Sequence, residues 1–191
     1  MAHRSSIRRT FADAAKAPQE RSCIMDSMHE RFYRDISGAL RRIPRAGRAL
    51  NLLDKGLVCL IAGGYAFELC RMLLGGDGRW MRFALVPAAG LAICTAIRAA
   101  LNAPRPYELF DVEPLIEKKT AGKSLPSRHV FSAAVIACAI AWIDPVWGAA
   151  ACAATVAVAA ARVLGGVHFI RDVAAALVLA LLVSAVGFCL I

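Results

Sequence analysis

The sequence predicts an all-α fold: a polytopic membrane helical bundle with about five transmembrane helices and an N-terminal amphipathic segment. Three observations carry this prediction. Of 191 residues, 59% are hydrophobic and 19% charged, with a mean hydropathy of +0.56, and a water-soluble domain is only about half apolar. The basic residues are clustered, with 11 of 23 lying within residues 1–48. Long runs are almost free of charge: Asp144 stands alone between Val130 and Ala161, and Val173 to Ile191 has none. Such runs suit a hydrocarbon core about 30 Å thick, which about 20 helical residues cross. A disordered chain, a collagen-like repeat and a charged coiled coil are excluded.

The chain divides at residue 50 into a basic, polar N-terminal segment (1–50) and a transmembrane domain (51–191). Residues 1–48 hold 11 basic and 5 acidic side chains and lack the apolar run of a signal peptide. Within them Met25, Met28, Phe32, Ile36 and Leu40 recur at helical spacing, which predicts an amphipathic helix on an anionic lipid surface, the alternative being a partly ordered soluble tail.

The first span is expected from about Gly56 to Leu74 and the second from about Met81 to Ala100. The third begins just after His129 and ends at Ile143, where Asp144 and Pro145 turn the chain into a fourth from about Val146 to Leu164. The fifth runs from Val173 to Ile191. The fourth is rich in alanine, and small residues allow close backbone approach, so it is expected at the centre of the bundle. Glu68 and Arg71, three apart in the first span, are expected to pair and so lower the cost of their charges in the membrane.

Seven cysteines are present. None forms a CxxC pair and six fall in apolar runs, so they read as small buried hydrophobes, with no metal site expected.

Three polar clusters remain, all at span ends that an up-and-down count puts on one membrane face. The first is Arg98-Ala-Ala-Leu-Asn-Ala-Pro-Arg105-Pro106, whose arginines, seven apart, point the same way if the helix persists to Pro104. The second is Pro126-Ser127-Arg128-His129 at the start of the third span, where a hydroxyl and free N–H groups favour an anion. The third is Arg162, then His168, then Asp172. His168 and Asp172 are four apart, a spacing that on one helix lets the carboxylate accept the imidazole N–H.

Forked guanidiniums match the tetrahedral oxygens of phosphate, so a phosphate is the expected ligand. A histidine with one nitrogen donating to a carboxylate keeps the other basic, so His168 is the expected nucleophile and Asp172 its orienting group. His129 is placed to protonate the leaving alkoxide and then to activate water. Arg98, Arg105 and Arg162, with Ser127 and the N–H of Arg128, are expected to bind the phosphoryl oxygens, replacing the Mg²⁺ used elsewhere. Lys123, three residues before Pro126, is a possible substrate contact. Arg171, Lys118 and Lys119 are assigned to headgroup contact, and Glu108, Asp111, Glu113 and Glu117 to a solvated loop face.

The ordered pattern Arg98-x6-Arg105-Pro106, Pro126-Ser127-Arg128-His129 and Arg162-x5-His168-x3-Asp172 resembles the type 2 phosphatidic acid phosphatases, the superfamily that also contains the vanadium haloperoxidases. The resemblance covers about residues 56–191 and suggests a small bacterial membrane member. It implies a metal-independent enzyme, with no cofactor and no nucleic-acid partner, that removes phosphate from a lipid phosphomonoester or diphosphate through a phospho-histidine. Phosphatidic acid, phosphatidylglycerophosphate and a polyprenyl diphosphate are the candidate substrates. The alternative is a catalytically silent phospholipid-binding membrane protein.

Three positions depart from the family pattern: Arg98 replaces the usual lysine, Arg128 the usual glycine, and Ala161 the usual serine. The implied location is a bacterial cytoplasmic (inner) membrane. Positive-inside counting favours a cytoplasm-facing site, while many bacterial relatives work on the outer face, and the phosphate-binding arginines inflate the count.

Overall fold

The computed structural model describes residues 30–36, 38–110, 113–116 and 121–190. Among them there is no strand, and five apolar helices form the body. Helix α1 is Ala46–Leu74, α2 is Trp80–Leu101, and a single turn, α3, is Pro106–Leu109. Helix α4 is Arg128–Ile143, α5 is Pro145–Leu164, and α6 is Ile170–Ser184, prolonged by a π-helical stretch, Ala185–Leu190.

Four of these helices are long and apolar enough to cross a bilayer. The fifth, α4, has 16 residues, so the expected third span falls short of the length the others reach. Its position explains why so short a helix is stable. It packs against α1, α2, α5 and α6, and half of it is buried, including Val130, Phe131, Val135 and Ala139. The centre of the bundle is therefore α4 and not the alanine-rich α5. Alanines in α5 instead let it lie close against α4. At the turn between them a Cβ on Gly148 would sit 2.3 Å from Ala141, so only glycine permits this approach. Lipid is as apolar as a protein core, which leaves close packing of this kind to hold membrane helices together.

Large apolar side chains such as Leu60, Phe67, Leu74, Trp147, Leu181 and Leu190 point outward, as a lipid-facing surface requires. The cysteines follow the same logic. Of the six described, Cys94 alone is buried, and Cys59, Cys70, Cys152 and Cys189 are exposed, so most serve as small lipid-facing hydrophobes and not as core residues.

Helix α1 begins ten residues before the expected Gly56 and runs unbroken across residue 50. This extension matters because it brings Asp54 into the bundle. Ahead of α1, residues 30–36 and 38–41 are helical. Met25 and Met28 of the expected amphipathic face lie outside the described residues. In the part that is described, the buried side chain is Tyr33, which belongs to a different face from Phe32, and Phe32 is exposed. The segment docks on the protein through Tyr33.

Up-and-down packing returns the chain to one end of the bundle three times. The C-terminal end of α2, residues 121–127 with the start of α4, and the end of α5 with the start of α6 all meet there. Asp144 closes the opposite end, capping α5 by accepting the N–H groups of Val146 and Trp147, as an N-cap aspartate does. An apolar cavity of about 510 Å³ opens between α1 and α5 beside Leu60, Phe67, Trp147 and Ala154. It lies away from the three polar clusters.

Candidate active site

Helix α2 ends at Leu101, where Asn102 turns left-handed at φ 39°. The helix therefore does not persist to Pro104, and the seven-residue spacing of Arg98 and Arg105 is not a helical one. Loops bring the two guanidiniums to the same end. Arg98 donates through Nη1 to the carbonyls of Ser124 (3.1 Å) and Pro126 (2.7 Å). Arg105 is fully buried and donates from Nε to Gly122 O (3.0 Å) and from Nη1 to Val167 O (3.2 Å). One guanidinium thus ties the first cluster to the second, and the other ties the first to the third.

Glu108 completes this framework. It accepts the backbone N–H of Arg105 (2.7 Å) and of Gly122 (2.9 Å). The expected solvated face is therefore partly structural: Glu108 staples the loop, while exposed Glu113 pairs with Arg41. Asp111 and Glu117 lie outside the described residues, as do Lys118 and Lys119. Gly122 sits at φ +63°, and a Cβ there would meet Asn102 Oδ1 at 2.6 Å. Its backbone serves Glu108 and Arg105 together, and both the conformation and the crowding select glycine.

His168 and Asp172 do not share a helix. Helix α6 starts at Ile170, so His168 lies in the preceding turn and Asp172 in the first helical turn. The carboxylate does three things there. Its Oδ2 accepts the N–H of Phe169 (3.0 Å) at the helix start, lies 3.4 Å from His168 Nδ1, and accepts the hydroxyl of Ser124. Ser124, His168 and Asp172 are all buried. Ser124 Oγ is also 3.3 Å from His168 Nδ1. A serine has one proton to give, and here the carboxylate receives it, so Ser124 Oγ offers His168 a lone pair. Both of these neighbours of Nδ1 are then acceptors, which places the imidazole proton on Nδ1 and makes Nε2 the unprotonated nitrogen.

Ser127 is the N-cap of α4. Its N–H donates to Asp172 O (3.0 Å), joining the second cluster to the third. Its hydroxyl is buried and has no protein partner among the described residues. Arg128 follows, exposed, and His129 is half-buried on the same first turn. The two imidazoles thus belong to the same end of the bundle. Lys123 is exposed at φ 52°, and Arg171 is exposed with its guanidinium 4.7 Å from the Phe169 ring.

Arg162, near the end of α5, is buried against Asp54 of α1, with Nη2 donating to Oδ2 at 2.6 Å. Its Nε is buried without a partner among the described residues. Asp54 escaped the sequence reading because it precedes the apolar run from which the first span was judged. Ser124 escaped because it lies two residues before Pro126-Ser127-Arg128-His129. Tyr33 escaped because only its aromatic neighbour Phe32 fitted the expected lipid-facing stripe. No local spacing links any of the three to its partner.

A bundle of apolar helices, four of spanning length, with polar loops gathered at one end defines an integral membrane protein. The chain belongs to the PAP2 superfamily, whose family model matches residues 79–191. Its fold is similar to the crystal structure of Aquifex aeolicus LpxE, with a TM-score of 0.64 and 21% identity over 82% of this chain and 92% of that one. It is also similar to the first transmembrane PAP2 type phosphatidylglycerolphosphate phosphatase from Bacillus subtilis, at TM-score 0.49 and 21% identity over 85% of this chain and 93% of that one. No curated protein matches the chain in sequence. Family and membrane helices together support a membrane lipid phosphatase.

Proposed function

We propose that the protein hydrolyses a lipid phosphomonoester or diphosphate in two steps through a phospho-histidine on His168, with arginines in place of a metal ion. The observation that carries this reading is the arrangement of Ser124, His168 and Asp172, which directs the Nδ1 proton toward acceptors and so makes Nε2 the basic nitrogen. Two donors buried without partners, the Ser127 hydroxyl and Arg162 Nε, support an anion at the same end, because a buried donor left unpaired costs about 1–3 kcal/mol.

In the first step the Nε2 lone pair attacks phosphorus. The P–N bond forms, the bond from phosphorus to the lipid oxygen breaks, and His129 as its imidazolium gives that oxygen a proton. Positive charge that develops on the His168 ring is offset by Asp172. In the second step water attacks phosphorus and yields its proton to His129. The P–N bond breaks, and inorganic phosphate leaves. Arg98, Arg105, Arg162, Ser127 and the N–H of Arg128 are the groups that hold the non-bridging oxygens as charge shifts among them, with Lys123 at the edge for the rest of the substrate. The bacterial inner membrane is the location this reading carries, with the lipid reaching the loops from the bilayer edge.

The test is phosphate release by the purified protein from phosphatidic acid, phosphatidylglycerophosphate and a polyprenyl diphosphate, each with EDTA present. At least one substrate is expected to turn over, and His168→Ala is expected to abolish turnover. A requirement for added Mg²⁺ would count against the mechanism. Binding of phosphorylated lipid with neither turnover nor a trapped phospho-histidine would show a silent binding protein.

A further inference from the structure

Residues 30–41 lie outside the stretch matched by the family model, yet they touch the catalytic turn. Tyr33 is 1% exposed, the most completely enclosed aromatic side chain of the segment. Its hydroxyl donates to the backbone carbonyl of His168 at 3.0 Å, across 135 residues of sequence. Its ring meets Phe169 edge-on with centroids 5.7 Å apart, and Phe169 meets Phe110 in the same way at 6.0 Å. Aromatic edge-to-face pairs of this kind fix relative orientation as well as burying area. Eight residues on, Arg41 Nη2 donates to Glu113 O (2.9 Å) and lies 3.1 Å from its carboxylate. The loop that Arg41 holds is itself bound to the third cluster, since the N–H groups of Leu115 and Ile116 both donate to Gly165 O. The segment is therefore fastened at two points, one on the turn that carries His168 and one on Glu113.

We propose that Tyr33 is a positioning residue: by holding the His168 carbonyl it fixes the turn 167–169 and so aims the imidazole, and residues 30–41 form a clamp across the catalytic turn. This rests on His168 being the nucleophile. The physical need is plain. His168 precedes α6 and lacks the hydrogen-bond ladder of a helix, so its backbone is held by what the rest of the fold supplies. The Val167 carbonyl is taken by Arg105 and the His168 carbonyl by Tyr33. The ring is then constrained from the backbone side by Tyr33 and from the Nδ1 side by Ser124 and Asp172. Burial and the nearby Asp172 carboxylate push the Tyr33 phenol up to about 12, so it stays a donor throughout the neutral range.

The experiment compares the full chain with Tyr33→Phe and Tyr33→Ala in detergent micelles by two readouts. The first is steady-state phosphate release from whichever lipid phosphate the wild type cleaves. Tyr33→Phe, which keeps the ring and loses the donor, is expected to lower kcat about tenfold with KM nearly unchanged, as misaiming a reacting group does. The second needs no turnover: carbethoxylation of His168 by diethyl pyrocarbonate, resolved from His129 by peptide mass spectrometry. His168 is expected to react several times faster in Tyr33→Phe and faster still in Tyr33→Ala, with His129 unchanged. Wild-type kcat together with a wild-type His168 modification rate in Tyr33→Phe overturns the proposal. If the wild type cleaves none of the lipids, the phosphatase reading fails, and the modification rates still decide whether Tyr33 holds the turn.

Discussion

The two ends of the bundle bond their polar side chains in opposite ways. At the end closed by Asp144, charged groups pair with near neighbours in the chain: Glu68 with Arg71, Asp77 with Arg79, and Asp144 with the N–H of Val146. Arg79 and Arg82 also lie about 6 Å from the Trp142 ring centre. At the other end local pairs such as Glu108 with the N–H of Arg105 are joined by remote ones: Tyr33 with His168, Asp54 with Arg162, Arg105 with Val167, and Ser124 with Asp172. Local pairs anchor helix ends at an interface and form wherever the helix forms. Remote pairs form only once the whole bundle is assembled, so the end that uses them is the end whose geometry the complete fold controls.

The contrast is sharpest between two ion pairs in which α1 takes part, one with α5 and one within itself. Asp54–Arg162 is buried on both sides, whereas Arg71 of the Glu68–Arg71 pair is 58% exposed. Removing one partner of a buried pair leaves an uncompensated charge and costs about 3–5 kcal/mol. Asp54→Ala is therefore expected to produce the largest loss, both of thermal stability in detergent and of activity, with Asp54→Asn intermediate because it keeps a hydrogen-bond acceptor for Arg162. A melting curve of Asp54→Ala that overlays the wild type would remove the distinction between the two ends.

Next in size is Ser124→Ala. It deletes a hydrogen bond to a charged group, worth about 1.5–3 kcal/mol, beside the proposed nucleophile. Lipid phosphate turnover is expected to fall about ten- to a hundredfold, with the melting temperature less affected than in Asp54→Ala. Equal activity in Ser124→Ala and wild type would mean that Asp172 alone orients the imidazole.

A pH titration probes the Tyr33 contact. Its phenol ionises near 10 when unfolded and is pushed up to about 12 in the fold, so the folded state holds the proton more tightly between those values. The docking of residues 30–41 is therefore at full strength below pH 10 and weakens as pH rises toward 12. Proteolysis within the N-terminal segment is expected to accelerate over that window in the wild type and to show no such step in Tyr33→Phe.

The smallest effect is expected at the opposite end. Hydrogen bonds from Arg79 hold the Asp77 carboxyl down to about 2, but the group is partly exposed, its partner Arg79 is exposed, and solvent screens the pair. Neither Asp77→Asn nor Glu68→Ala is expected to shift the melting temperature measurably, at neutral pH or at pH 4. A large loss from either would show that the far end, too, depends on tertiary pairing.

Much of the fold was legible because hydrocarbon imposes a simple rule: a polar backbone inside it must be helical, so uncharged runs mark their own helices. The ends of α2, α4 and α5 lie within a residue or two of where the runs of charge and the Asp144-Pro145 turn place them. Two features followed other rules. Which helix lies at the centre depends on contacts made by every neighbour, and α4 holds that place although α5 has the smaller side chains. The start of α1 lies in polar sequence, where hydropathy is silent, so Asp54 passed as part of a tail.

The sequence by itself determined the helices, their order, and the end of the bundle at which Arg98, Arg105, Ser127, Arg128, His129, Arg162, His168 and Asp172 gather, since helix length against bilayer thickness settles which loops share a face. Only the tertiary structure decided what holds those side chains in place: Asp54 on Arg162, Ser124 on His168 and Asp172, Glu108 on the loop, and Tyr33 on the turn that carries His168. The physical reason is range. Hydropathy and helical spacing act over a few residues, whereas the hydrogen bonds that aim a buried arginine or histidine join groups tens to more than a hundred residues apart.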